Sequence, residues 1–514
     1  MHEKPILQHS SVHRELLLFA TPRAPVAPSD FMIGLHVSTL IKDGGTLQIG
    51  IGALGDAIAY SLGLRNNQND AYRKVLADSG ILNQYSDLIN TVGGTSVFEQ
   101  GLYGSTEMLV DGFVQLYKNG VIKRKVYHHV GVQRLINEGR LKDTIPSDIL
   151  QQMLDQDTIP PYLTEKEFNA LQHVGVFKTA AVFTDNQIVC EGRTFSPLLL
   201  DTDNLKAISD TCLGSELKNG VVLTGAFFIG PQDFYDDLKN MPKAEQLQFE
   251  MTGVDVANQL YGDEVLRRLQ RKDGRFCNTG MKATLLGHIS SDMPEDGTVV
   301  SGVGGQYNFV SMAHALHDGR LVMMIKSTRN EKGKVFSNIL YNYGNVTIPR
   351  HLRDIVVTEY GIADIRSKTD QEIIKAMLNI TDSRFQDELL AEAKKHGKIP
   401  EDYEIPEQFR NNTPARLAQA LAEAKSQGLF PDFPFGTIFT KEELLIAFAL
   451  KAMKAKMESK SASEIPEIVK SLPAEIPENL TALFERMGLT QPETPAEKES
   501  FMQLMLVLKV AGFF

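Results

Sequence analysis

Two glycine-rich turns and two carboxylates carry most of the chemistry that the residue types of this chain suggest. Gly50-Ile-Gly-Ala-Leu-Gly55 breaks out of the β-prone run that begins at Thr46 and leads into the helix-like Asp56-Ala-Ile-Ala-Tyr-Ser-Leu. Its G-x-G-x-x-G spacing lets backbone amides approach a pyrophosphate at a helix N-terminus. A dinucleotide site would want an acidic residue about 20 positions on, at the end of the next strand. Asp70 stands there, but Asn66-Asn-Gln-Asn-Asp-Ala-Tyr around it reads as loop. A turn that simply needs small residues is the competing reading. Gly302-Val-Gly-Gly-Gln306, after the β-prone Gly297-Thr-Val-Val-Ser301, is the second such turn. Two of them at neighbouring strand ends would aim exposed N–H groups at one point, as an oxyanion hole requires. Two unrelated tight turns would leave the same trace.

Glu107 lies in Tyr103-Gly-Ser-Thr-Glu-Met-Leu-Val-Asp111, a turn between an apolar segment and a helix expected over Val110–Tyr117. By itself such a Glu is most simply a first-turn residue favoured by the helix dipole. Glu359, in Val-Thr-Glu-Tyr-Gly361, sits at a strand end, where it positions a partner or caps a loop. Lys326-Ser-Thr-Arg329 follows a strand and leads to Lys332 and Lys334. It reads either as a solvated basic loop or as a clamp for ligand phosphates. His128 and His129 would point to opposite faces of a strand and make no natural metal pair. The chain contains no H-E-x-x-H, G-x-S-x-G or G-x-x-x-x-G-K-[ST], which argues against zinc peptidases, elbow-type serine hydrolases and P-loop NTPases.

The elements that must position these residues alternate. β-prone runs at Thr46, Val221–Ile229, Thr298–Val303, Leu321–Ile325 and Ile355–Thr358 are interleaved with helical patterns such as Asp263–Gln270 and Phe309–Leu316. That grammar predicts an α/β fold around an open, mostly parallel sheet. Residues 1–30, with Thr21-Pro-Arg-Ala-Pro-Val-Ala-Pro28, read as an arm or linker, 31–370 as the α/β domain, and about 128–204 as an insertion in it. Residues 371–514 read as mainly helical, with capping boxes at Thr369-Asp-Gln-Glu372 and Thr440-Lys-Glu-Glu443 and a Ser/Pro/Glu/Lys-rich joint near 458–478.

Composition narrows the class. In 514 residues, 53 Lys+Arg stand against 64 Asp+Glu, a formal charge of −11, which disfavours general nucleic-acid binding. The hydrophobic share of 42% suffices for large cores. Cys190, Cys212 and Cys277 fit neither a disulfide framework nor a zinc site, so a reducing, cytoplasmic setting is expected. No run approaches the ~18 apolar residues of a membrane span, and the tail Phe501–Phe514 reads as a packed helix.

Four of these stretches, in order, resemble the acetyl-CoA hydrolase/transferase family of class I CoA-transferases. They are TLQIGIGALGD (Thr46–Asp56), GSTEMLVDG (Gly104–Gly112), SGVGGQYNF (Ser301–Phe309) and LRDIVVTEYGIADIRSKT (Leu352–Thr369), covering most of residues 31–410. The resemblance implies a fold of the CoA-transferase type and a transferase working through a glutamyl-CoA thioester on Glu107. Acyl-CoA and small carboxylates would be its substrates, with no cofactor beyond coenzyme A as substrate and product, and no metal. It further implies oxyanion stabilisation by the amides of Ile51, Gly52, Gly304 and Gly305. Gly50, Gln306, Lys326, Arg329, Glu359 and Tyr360 would bind or buttress the substrate. Acyl-CoA hydrolysis, or CoA binding by a non-catalytic subunit, are the alternatives. Family members pair two similar α/β halves and this chain matches the second, so either the sequence is truncated, or a separate chain supplies the first half, or this variant works without it, and a homo-oligomer is a further expectation.

Overall fold

In the computed structural model, which describes residues 18–457, 463–473 and 475–514, one eight-stranded sheet organises the chain. Its strands are β1 (Thr46–Gln48), β2 (Tyr103–Ser105), β3 (Leu223–Gly225), β4 (Phe249–Met251), β5 (Gly274–Thr279), β6 (Arg320–Met324), β7 (Ile355–Thr358) and β8 (Gly361–Asp364). They lie in the order β8-β7-β6-β5-β1-β2-β3-β4. Every neighbouring pair from β7 to β4 is parallel, and β8 pairs antiparallel at one edge. Runs such as Ile355-Val-Val-Thr358, buried at all four residues, are what a strand covered on both faces needs.

The chain walks outward from β1 to β4, returns to β5 on the other side of β1, and walks outward again to β8. That reversal makes the β5/β1/β2 region a topological switch point, where a crevice opens at the C-terminal strand ends. Four helices frame it: α1 (Pro28–Thr39), α2 (Ala53–Asn67), α3 (Asp111–Lys118) and α4 (Gln306–Ala315). The expected helix at Phe309 thus starts three residues earlier, against the second glycine turn.

Two expected strands differ. Residues 298–303 form no strand, and Val299 and Val300 are 71% and 55% exposed. The amides of Val300 and Ser301 donate to the Asp292 carbonyl and that of Thr298 to the Asp296 carboxylate, so this β-prone run is held by local turns and finds no neighbouring strand to pair with. The run Val221–Ile229 divides at Gly225 into β3 and a two-residue strand, Phe227–Phe228, that pairs with Met108–Leu109.

Of the Pro/Ala arm, residues 1–17 lie outside the described residues. From Thr21 the arm is docked rather than free: Thr21 N–H donates to Gly230 O and Val26 N–H to Asp432 O, and Arg23 and Val26 are buried. Residues 127–212 enclose their own apolar core, with an antiparallel three-stranded meander over residues 182–195. Paired amides of Val126 and Val221 close the base of that excursion. Both capping boxes form. The C-terminal tail is the helix Pro495–Val510, whose Phe501, Leu504, Met505 and Leu508 are buried in a cluster with Leu480 and Phe484. Of the expected joint, residues 458–462 and 474 lie outside the described residues, while Ile465–Lys470 is a short helix. No helix among the described residues is long and apolar enough to cross a membrane.

Candidate functional site

A cleft of about 270 Å³ occupies the switch point. Gln48 to Ile51 enter it from β1, Thr106 and Glu107 from β2, Cys277 to Thr279 from β5 and Met324 from β6, and Val303 to Gln306 close it. The first turn is shaped by its glycines. Gly52 has φ +107°, a conformation that side chains rarely adopt, and a Cβ on Gly55 would overlap the Gly50 carbonyl oxygen. The chain therefore turns tightly from β1 into α2, leaving Ile51 at the rim with 51% of its surface exposed.

Glu107 is held from both ends. Its carbonyl accepts from the amides of Ala226 (2.9 Å) and Phe227 (3.2 Å), and Thr106 Oγ1 ties the turn to Met108 O at 3.0 Å. Its carboxylate accepts from Asn258 Nδ2 at 2.8 Å. Gly305, the N-cap of α4, packs so closely that a Cβ there would strike both Glu107 Oε2 and Asn258 Nδ2. Among the described residues, the amides of Ile51, Gly52, Gly304 and Gly305 have no hydrogen-bond acceptor. The N-terminus of α4, with Gly304 and Gly305 against Glu107, thus leaves unsatisfied N–H groups beside one half-buried carboxylate, and Ile51 of the first turn lines the same cleft, an arrangement suited to stabilising new negative charge.

Asn258 is a side chain of this cleft that the residue pattern did not reveal. It follows the short helix Val254–Ala257, is buried, and its Oδ1 has no partner. Its loop is gripped by arginines. Arg271 donates from Nη2 to Val256 O (2.6 Å) and from Nη1 to Gln259 O (2.9 Å), carbonyls on either side of Asn258, while Arg267 reaches Asp255 O, Gln259 O and Tyr261 O. Burial lowers the Arg271 pKa to about 10.

The other expected site residues divide. Gly50 and Gln306 line the cleft, and Gln306 Nε2 donates to Thr279 O at 2.8 Å. Gly52 lines an adjoining crevice of about 100 Å³ together with Ile51, Asp56 and Arg23. There Arg23 bridges Asp111 and Asp233 at 2.7 Å each, and burial, reinforced by the Asp111 charge, raises the Asp56 pKa to about 7. Lys326 and Arg329 line a second cavity of about 480 Å³ that meets the cleft at Thr279, with Lys282 beside them. Neither is an uncommitted cation. Lys326, 46% exposed, pairs with Asp30 Oδ1 at 2.7 Å, and Arg329 pairs with Glu331 and stacks on Phe336.

Glu359 and Tyr360 do not line the cleft. Both Glu359 oxygens are taken, by Ser327 N–H (2.9 Å) and Ser327 Oγ (2.8 Å), and Tyr360 donates to Asp382 Oδ2 at 2.9 Å. Burial raises the pKa of both groups. Glu359 thus sits beneath the Lys326–Ser327 turn as a buttress, while Tyr360 packs in a separate apolar cluster with Met32 and Leu417. Among the described residues no group of His, Cys, Asp and Glu is placed to hold a metal ion.

Part of the chain matches known proteins. Residues 230–393 match the acetyl-CoA hydrolase/transferase C-terminal domain, a stretch that holds Asn258, the second glycine turn, Lys326 and Glu359. Over 171 residues the chain is 30% identical to the 4-hydroxybutyrate coenzyme A transferase of Clostridium kluyveri, covering 33% of this chain and 37% of that one. Over 176 residues it is 29% identical to the butyryl-CoA:acetate CoA-transferase of Anaerostipes caccae, covering 34% and 37%. The aligned part thus spans little more than a third of these curated relatives. Among solved structures, RipA from Yersinia pestis aligns over 75% of this chain and 57% of its own at 20% identity, with a TM-score of 0.43. Residues 230–393 therefore belong to the acetyl-CoA hydrolase/transferase C-terminal domain family, and the two relatives similar to part of this chain are CoA-transferases.

Proposed function

We propose that the chain is an acyl-CoA:carboxylate CoA-transferase with Glu107 as nucleophile. The observation that carries this reading is the Glu107 carboxylate, oriented by Asn258 at 2.8 Å beside amides that lack acceptors. A carboxylate oxygen attacking the thioester carbonyl forms a C–O bond and pushes the carbonyl electrons onto oxygen. Amides of Ile51, Gly52, Gly304 and Gly305 stabilise that oxyanion. Collapse expels CoA thiolate and leaves a mixed anhydride. The thiolate then adds to the glutamyl carbonyl and expels the substrate's carboxylate, giving a glutamyl-CoA thioester. An acceptor carboxylate runs both steps backwards and departs as the new acyl-CoA, so the thioester energy is conserved. Gly50 and Gln306 line the acyl position, and the cavity at Lys326, Arg329 and Lys282 receives part of the CoA chain. The relatives' names point to short acyl groups such as butyryl or 4-hydroxybutyryl, with acetate as a candidate acceptor.

The test is direct. The chain is incubated with butyryl-CoA or acetyl-CoA, reduced with borohydride and digested, and the peptide spanning residues 100–118 is mapped by mass spectrometry. Reduction at Glu107, absent in Glu107→Gln, is expected. An unmodified peptide under conditions where CoA binds would overturn Glu107 as the nucleophile of this chain.

A further inference from the structure

At the sheet edge opposite Glu107, where β6 and β7 begin, lies a cavity of about 620 Å³. Its lining includes His314, Arg350, His351, Arg353, Arg366 and a single carboxylate, Asp370. That carboxylate satisfies none of its cations closely: it stands 3.9 Å from Arg350 Nη1, 3.9 Å from Arg353 Nη2 and 3.5 Å from Lys398 Nζ. Arg366 pairs with Asp354 at 2.6 Å, but Asp354 is shared with Arg320, and the Arg366 Nε–H has no acceptor. The Arg350 side chain is more than half exposed and makes no hydrogen bond among the described residues. With Asp370 and Asp354 as the carboxylates against Arg350, Arg353, Arg366 and Lys398, the cavity keeps an excess of positive charge on a chain of formal charge −11, which favours an added anion.

We propose that this cavity is a second ligand site, for a small molecule carrying a diphosphate. Guanidinium forks match phosphate oxygens bidentately, and Arg350 and Arg353 flank one point from two sides. The volume falls within the range of small-molecule sites and exceeds what one phosphate would fill. The site is separate from the Glu107 cleft. Met324 and Thr279 line that cleft at the C-terminal strand ends, whereas Arg353 and Asp354 precede β7 at the N-terminal ends. Helix α4 joins the two regions. Gly305 caps its start beside Glu107, and His314 lies in its last turn, about 13 Å away at the helical rise of ~1.5 Å per residue.

Titration calorimetry of the full chain with inorganic pyrophosphate tests this, with acetate as the monovalent control. The expected result is saturable binding of one pyrophosphate that weakens steeply with salt, with no comparable heat from acetate. Arg350→Ala and Arg353→Ala should each weaken it at least tenfold while Lys326→Ala leaves it unchanged. Arg350 has only a long ion pair to lose, so its variant keeps the test sound if Arg353→Ala misfolds. ADP titrated in the same way separates the two sources of a diphosphate: tighter binding than pyrophosphate identifies a nucleotide, equal binding the inorganic group. No saturable binding at millimolar pyrophosphate, or binding that depends on Lys326 and ignores Arg350, would overturn the proposal.

Discussion

Asn258 and Glu107 are 151 residues apart in the chain, yet the Asn258 amide donates to the Glu107 carboxylate at 2.8 Å. A hydrogen bond to a charged group contributes about 1.5–3 kcal/mol. Replacing Asn258 by Ala should therefore cost roughly 10- to 100-fold in kcat/KM, chiefly through kcat, because the loss falls on the orientation of Glu107, the proposed nucleophile. Steady-state transferase assays decide the matter, and an unchanged kcat would remove Asn258 from the site's machinery.

Arg271 touches no reacting group and acts on Asn258 through the carbonyls of Val256 and Gln259. Arg271→Met should lower kcat in the same direction as Asn258→Ala, with KM for acyl-CoA little changed. In the Asn258→Ala background, the same substitution should have a much smaller further effect on kcat, since coupled residues are not additive. Full additivity in that double-mutant cycle would show that Arg271 serves stability alone.

Gly305 is confined by the carboxylate it faces. Gly305→Ala must displace Glu107 Oε2 and the Asn258 amide together, and a fall in kcat of about 100-fold is expected, comparable to losing one oxyanion donor at ~3 kcal/mol. The thermal midpoint should move little, since the collision is with the ends of side chains. Activity near that of the parent would mean that the cleft relaxes around the added methyl group.

Asp56 makes stability depend on pH. Its folded pKa, about 7, lies above the unfolded value near 3.8, so the folded chain binds more protons between those limits. The contribution is fully present below pH ~4 and is lost as pH rises through 7, on the order of 2–4 kcal/mol. Asn resembles the protonated acid in shape and does not ionise. Asp56→Asn should therefore gain stability relative to the parent as pH rises from 5 to 8, read from urea midpoints. A difference independent of pH would refute the assignment.

What the residues disclosed by themselves depended on range. The turn Gly50–Gly55 was readable because its demands are local: a positive φ at Gly52 and a carbonyl against Gly55 show in the glycine spacing itself. Glu107 was readable as a turn carboxylate, but its distinction from any first-turn Glu lies in Asn258 and Gly305, which reach it only through the strand order. Lys326 and Arg329 looked like free cations because Asp30, which takes the Lys326 charge, comes from α1 on the far side of the chain. The Glu359-Tyr360 pair was readable only as far as lining or buttressing the site. A carboxylate at a strand end reads alike whether it faces a cleft or a serine beneath it, and here it faces Ser327. Val299 and Val300 have β propensity and no strand beside them, so their exposed loop was invisible to pattern alone.

The strand order also has a consequence for how the chain is born. β1 pairs with β2 on one side and with β5 on the other, and β5 lies more than 200 residues downstream. At about 5–20 residues per second, the ribosome delivers that partner roughly 10–45 s after β1. Throughout that interval β1 to β4 can assemble only with the β1 edge open, an unpaired row of backbone groups of the kind that recruits foreign strands. The second glycine turn and α4 arrive later still. The nascent chain therefore carries Glu107, the proposed nucleophile, on a half-built sheet, and chaperones that mask strand edges are expected to matter more for its yield than for that of a protein whose central strand meets its neighbours early.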